Sequence, residues 1–281
     1  MNLLIVGCGF AGSVVAQRAK ARGVVARGTT RTEARAGALR ASGVEPIVLG
    51  GALSAAALEP YVDATTRALV TIPPDGSSDQ ALASILGPAA AIVYLSSTGV
   101  YGDARGLVDE STPVQPTTPR AVARVAAERI WRDAGATIAR APGFYGPKRG
   151  MHLRLARGDL RIAGEATNAI SRVHVADLAE ALLALLERAV RGAVYVIGDR
   201  EPAPHIEVVR WLADALRLPM PPHDRTSDAD QSLRNDRRVD SARIRAELGL
   251  TLAYPTYREG FTQCIEADRA ALDAAIAGRA P

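Results

Sequence analysis

The chain has 281 residues, 48% of them hydrophobic and 23% charged, enough for one large domain or one domain and a small lobe. The formal charge of +4 is spread from Arg18 to Arg279 among nearly as many acids, which argues against the clustered basic face of a nucleic-acid binder. Cys8 and Cys264 lie far apart, which argues against a disulfide framework or a metal site, and no apolar run reaches the ~18 residues that span a bilayer.

The first element is the apolar strand "NLLIV" (2–6). It opens into Gly7, Gly9 and Gly12 and a helix over 11–21. The segment lacks a basic leader region and is broken by glycines, so it does not read as a signal peptide and the expectation is a cytoplasmic protein. The G-x-G-x-x-G spacing between strand and helix is what a pyrophosphate needs. Gly7 permits the tight turn, Gly9 lets the phosphates approach the backbone, and Gly12 lets helix and strand pack closely. Phe10 and Ala11 fall in the same loop and count among the cofactor-binding candidates.

A second strand, "VVARG" (24–28), leads to Thr29, Thr30 and Arg31. An acid that would accept a ribose 2′-hydroxyl is missing there, and Arg31 suits a 2′-phosphate through forked, charge-assisted bonds. The reading therefore favours NADP over NAD, with a solvated surface charge as the competing role for Arg31. Glu33 falls late enough to be a helix cap.

Then follow a helix (32–42), the strands "PIVLG" (46–50) and "ALVTI" (68–72), a helix (77–86), the strand "AIVYLS" (91–96), a helix (119–134) and "TIAR" (137–140). Ile72, Pro73 and Ser96 stand at strand ends beside the expected cofactor. Strands that are apolar without alternation, each followed by a helix, imply a parallel sheet covered on both faces, a doubly wound α/β fold. Past residue 145 the rhythm loosens: a Gly- and Arg-rich stretch (146–172), a helix (175–189), the strand "AVYVIG" (193–198), a helix (205–217), a Pro/Asp-rich loop (218–236) and helices over 240–248 and 257–277. This half reads as a smaller, interleaved substrate lobe (146–281) that returns 171–198 to the first domain (1–145).

The segments "YLSSTGVYGD" (94–103), "PTTPRAVARVAAE" (116–128), "ARAPGFYGP" (139–147), "SRVHVADLAEALL" (171–183) and "VDSARIRAELGLTLAYPTYREGF" (239–261) together resemble the extended short-chain dehydrogenase/reductase family of NAD-dependent epimerases and dehydratases. The resemblance implies a Rossmann-type domain with a small C-terminal substrate lobe, a nicotinamide cofactor, a small-molecule substrate that is often a nucleotide sugar, and a homodimer. It puts the catalytic hydroxyl on Ser97 and the nicotinamide wall at Pro142 and Gly143.

The likeness breaks at the catalytic helix. Where the family has Tyr-x-x-x-Lys, this chain has Arg120 and Arg124. The Tyr moves a proton, and the Lys lowers its pKa and holds the ribose. An arginine stays protonated and cannot shuttle protons. Arg124 keeps two readings, a ribose-holding charge or an i,i+4 partner of Glu128; Arg120, at the Tyr position, stands with Ser97 and Arg124 among the catalytic-site candidates, with a solvent-facing charge as its competing role. The glycine spacing also departs from the family's G-x-x-G-x-x-G, since Val6 stands at its first position. Tyr101, Tyr145, His152 and a His174–Asp177 pair are the substitute proton carriers. Arg154, Arg172, Arg234, Arg237 and Arg238 are candidates for gripping an anionic substrate. Two functions remain open: an NAD(P)-dependent oxidoreductase, epimerase or dehydratase that manages without the Tyr, or a non-catalytic cofactor-binding sensor.

Overall fold

A computed structural model describes residues 2–50, 55–188, 190–224 and 236–279. Its centre is a sheet of seven parallel strands: β1 (Asn2–Val6), β2 (Ala26–Thr30), β3 (Glu45–Val48), β4 (Thr66–Val70), β5 (Ala91–Ser97), β6 (Thr137–Ala141) and β7 (Val194–Val196), in the order β7-β6-β5-β4-β1-β2-β3. Strands β1, β4 and β5 carry runs of consecutive apolar residues because both faces are covered. Leu3 and Ile5 join one core with Val15, Leu39, Leu178 and Leu182. Leu4 and Val6 join the other with Leu58, Leu82, Leu86 and Trp131. Helices α1 (Phe10–Ala21), α2 (Glu33–Ala41), α3 (Ser78–Leu86) and α4 (Pro119–Asp133) make four of the five connections among the first six strands, those from β1 to β2, β2 to β3, β4 to β5 and β5 to β6. After β3 the chain crosses to β4, which pairs with the free side of β1. That reversal is the topological switch point, where crevices open at the strands' C-terminal ends.

A second apolar core gathers α5 (Met151–Arg157), α7 (His205–Leu216), α9 (Tyr257–Ala267) and α10 (Arg269–Ala277) around Tyr145, Leu153, Val209, Leu212 and Phe261. Helix α6 (Val175–Arg188) leaves this half and packs on α1. Small residues on α1 (Ala16, Ala19) allow the close approach, and Arg18 reaches Glu180 at 3.2 Å across the exposed rim. Helix α8 (Ala242–Leu248) packs beside α6 and β7.

Several boundaries differ from the sequence reading for local reasons. The strand expected at 24–28 runs over Ala26–Thr30 because the turn at Gly23 (φ +75°) continues through Val25, which is 56% exposed. The strand expected at 68–72 runs over Thr66–Val70, and Thr71 and Ile72 leave it to flank the glycine loop. The helix expected at 257–277 breaks at Asp268, whose carboxylate turns to the Lys148 N–H and His152. Helix α5 was hidden inside the Gly- and Arg-rich stretch. Most of the Pro/Asp-rich loop expected over 218–236, with Arg234, lies outside the described residues.

Candidate functional site

The glycine loop sits at the switch point and is held from beneath. The Gly7 N–H donates to Thr29 Oγ1 (2.7 Å) and Thr71 Oγ1 donates to Gly7 O (2.5 Å). Gly7 is at φ +93°, and a Cβ there would lie 2.7 Å from Ile72 Cγ2. A Cβ on Gly12 would lie 2.9 Å from Ile5 Cγ2 and 3.0 Å from Gly7 O. Gly9 is different: its Cβ would find only Gly7 O, at 3.9 Å. The missing side chain leaves space above α1, whose N-terminus has no side-chain cap. The first N–H groups of a helix carry partial positive charge and lack intrahelical partners. An unfilled cradle over an uncapped N-terminus fits a diphosphate. Cys8, between the glycines, is buried, and burial pushes its thiol pKa up, so it is no nucleophile.

At the end of β2, Arg31 is exposed, and no carboxylate among the described residues lies within ion-pair distance. Glu33, the nearby acid, turns to Arg40 at 3.7 Å. The sequence reading missed Arg35. Its guanidinium donates to Ser13 Oγ (2.8 Å) and Cys8 O (3.4 Å), which brings it against the glycine loop. It lies in the first turn of α2, and only the packing of that helix brings it to the loop.

Strand β5 ends in Ser96 and Ser97, whose hydroxyls diverge. Ser97 Oγ accepts from the Gly99 N–H (3.1 Å) and caps a short 3-10 turn at the sheet's C-terminal edge. Ser96 is buried and donates to Glu128 Oε1 (2.5 Å). Glu128 does not pair with Arg124 as the i,i+4 spacing suggested; it takes Arg140 in a fork, with Nη2 at 2.7 Å and Nε at 3.0 Å. Burial works against the Arg140 charge, but hydrogen bonding to Glu128 outweighs it and raises the pKa. Arg124 is buried and donates to Tyr94 OH (2.9 Å) and Leu95 O (3.2 Å) on the strand beneath it. Burial raises the Tyr94 pKa to about 12, so that hydroxyl stays protonated. Arg120 is exposed in the first turn of α4.

Pro142 and Gly143 follow β6 at the same end of the sheet, with Gly143 exposed. The substitute proton carriers are all withdrawn into packing. Tyr101 donates to Asp109 O at 2.6 Å. Tyr145 stacks on Phe261 with centroids 4.2 Å apart, and burial raises its pKa. His152 meets Asp268 at 2.9 Å inside the second core. Asp177 does not pair with His174; it accepts from the Ala253 and Tyr254 N–H groups and ties α6 to the C-terminal segment. The arginines of the C-terminal half also fail to converge. Arg172 is buried and donates to Ile170 O (2.7 Å), Arg237 is buried and donates to Gly102 O, and Arg154 and Arg238 are exposed.

His174 Nδ1 accepts from the Ala176 N–H (3.3 Å) at the start of α6. Burial lowers its pKa from 6.5 to about 4. The unfolded chain therefore takes up this proton first, and the stability the neutral ring contributes above pH 6.5 is lost as pH falls towards 4. Denaturant midpoints measured across that window should fall more steeply for the wild type than for His174→Gln; parallel profiles would refute the assignment.

Fold and loop together define a Rossmann-type α/β protein. Residues 79–198 match the model of the NAD-dependent epimerase/dehydratase family. A conserved protein of unknown function from Silicibacter pomeroyi DSS is 34% identical, with 95% of this chain and 98% of that one covered at a TM-score of 0.82. Protein YeeZ of Escherichia coli (strain K12) is 29% identical over 273 residues, covering 90% of this chain and 96% of YeeZ. MoeE5, solved in complex with UDP-glucose and NAD, is 24% identical and shares the fold, with 97% and 100% covered at a TM-score of 0.80. The likeness to this family lies in residues 79–198, and the likeness along the whole chain at 34% identity is to a protein of unknown function. No helix among the described residues is long and apolar enough to cross a membrane.

Proposed function

We propose that the chain binds a nicotinamide dinucleotide across the switch-point crevice and acts as an oxidoreductase, epimerase or dehydratase on a small carbonyl or hydroxyl compound. The observation that carries this reading is the open space at Gly9 over the uncapped start of α1. Phe10, Ala11 and Gly12 would hold the pyrophosphate through backbone N–H groups, Ile72 and Pro73 would flank the adenosine half, and Pro142 and Gly143 would back the nicotinamide. When bound, the nicotinamide accepts and returns hydride at C4. Ser97 would orient the substrate oxygen from the strand end. Arg124, bonded to Tyr94 and Leu95 of β5, would supply fixed positive charge and move no proton, so the proton would exchange with substrate or water.

The cofactor form follows from the ribose edge. Thr30, Arg31 and Arg35 offer donors there while Glu33 is turned away, which supports NADP, with NAD as the alternative. Arg31→Ala and Arg35→Ala should each weaken NADPH binding by about tenfold and leave NADH within about twofold. Equal losses for both dinucleotides would refute the NADP assignment. The proposal takes the chain as a cytoplasmic homodimer whose C-terminal lobe receives the substrate; Val122, 53% exposed on α4, supplies an apolar contact for such a pairing.

A second reading, a cofactor-binding sensor without turnover, is favoured by the solvent-facing Arg120 and the fully engaged Arg124. Fluorescence titration with NADPH and NADH, followed by dinucleotide oxidation with a carbonyl panel, separates the two. The enzyme reading expects turnover that drops at least tenfold in Ser97→Ala. Tight binding with no turnover in either protein supports the sensor.

A further inference from the structure

The glycine loop is approached from above by a segment of the other half of the chain. Strand residues Gly143–Tyr145 run into a tight turn closed by two backbone bonds, the Gly146 N–H to Arg149 O (2.9 Å) and the Arg149 N–H to Gly146 O (3.0 Å). The turn needs Lys148 at φ +66°, an unfavourable conformation for a residue with a Cβ. It is held there by the second core, since the Lys148 N–H donates to Asp268 Oδ2 at 2.6 Å and His152 holds the same oxygen at 2.9 Å. The base of the turn is docked on the first domain. A Cβ on Gly146 would lie 2.4 Å from Val175 Cγ1 and 3.4 Å from Phe10 Cζ.

The turn presents Arg149. Its guanidinium carbon lies 5.2 Å from the ring centroid of Phe10 and 5.3 Å from that of Phe144, and the two rings stack at 6.2 Å with 7° between their planes. Phe10 is the first residue of α1, whose N-terminus has no side-chain cap. Arg149 is exposed, and no carboxylate among the described residues lies within ion-pair distance of it. The cation is thus held by an aromatic shelf against the ring of the residue that opens α1, with its hydrogen-bonding fork unspent on any acid among the described residues. Cation–π contact restricts the rotamers and lowers the ordering cost of a later bond.

We propose that Arg149 is a clasp for the dinucleotide pyrophosphate, donating from the side opposite the α1 N–H groups and tying the second half of the chain to the bound cofactor. The inference rests on the reading that the crevice takes a dinucleotide. The helix start would hold one side of the diphosphate through neutral dipoles, and Arg149 would add formal charge from the Phe10 side, apart from Arg35 at Cys8 and Ser13.

The test compares wild type, Arg149→Gln and Arg149→Lys for the preferred reduced dinucleotide by fluorescence, and for ADP-ribose and adenosine by competition. Arg149→Gln should bind dinucleotide and ADP-ribose about tenfold more weakly, keep its affinity for adenosine, and show a shallower salt dependence than wild-type binding. Arg149→Lys should recover part of the loss. Unchanged thermal melting, expected for an exposed side chain, confirms that the variants are folded. Equal dinucleotide and ADP-ribose binding by wild type and Arg149→Gln overturns the clasp, including when affinity for a phosphorylated substrate falls instead. Wild type that binds none of these ligands overturns the underlying cofactor reading and the clasp with it, a separate and recognisable result.

Discussion

Gly9→Ala should leave the protein folded and weaken its hold on the dinucleotide by about a hundredfold, or about 2.7 kcal/mol. The three glycines of the loop have different reasons to be glycine, and the substitution isolates one of them. At Gly7 the left-handed backbone and Ile72 Cγ2 at 2.7 Å make any Cβ a folding problem. At Gly12 the obstacle is Ile5 together with the Gly7 carbonyl, so a Cβ separates α1 from β1. At Gly9 a methyl group meets nothing of the protein closer than 3.9 Å and instead occupies the volume that a diphosphate must enter. Thermal melting and fluorescence titration on the three alanine variants check this. Gly7→Ala and Gly12→Ala should lower the melting temperature, whereas Gly9→Ala should lower affinity alone. A Gly9→Ala protein that binds as tightly as wild type would move the phosphates away from this loop.

Glu128→Ala should cost about 3–5 kcal/mol of folding stability, out of a total that is typically 5–15 kcal/mol. Glu128 is 3% exposed and joins three elements: Ser96 on β5, Arg140 on β6 and its own helix α4. Its removal strands the Arg140 guanidinium, itself 6% exposed, with the Tyr101 hydroxyl at 3.2 Å as its one remaining hydrogen-bond partner among the described residues. An uncompensated buried charge accounts for most of the loss, so the double variant Glu128→Leu/Arg140→Met should recover much of it. Chemical denaturation measures both. A loss below about 1 kcal/mol would mean that water or relaxation already compensates Arg140. Because Ser97 follows Ser96 directly, the same substitution should also loosen the strand end on which the candidate catalytic hydroxyl sits.

These residues also show what the sequence reveals and what it hides. The parallel sheet was legible because β1, β4 and β5 carry short runs of consecutive apolar residues, each followed by a helical stretch, the rhythm of a sheet buried on both faces. The glycine loop was legible because its spacing is local. Partnerships across the sheet were not. Glu128 has an arginine four residues away on its own helix, yet it pairs with Arg140, twelve residues on and in a different element. Nothing short of the strand pairing of β5 with β6 brings those groups together. Asp177 lies at a helix start, which suggested a local role, but its oxygens are spent on N–H groups of Ala253 and Tyr254. Arg35 and Arg149 were missed for the same reason: each reaches the glycine loop only through the packing of a distant element.

The measurement that bears most directly on the central claim is a crystal structure of the protein grown with millimolar NADPH or NADH. The account expects the pyrophosphate against the N–H groups of Phe10, Ala11 and Gly12 at about 3 Å, over the bare Cα of Gly9. A crevice that stays empty under those conditions, or a dinucleotide bound elsewhere on the molecule, would contradict it.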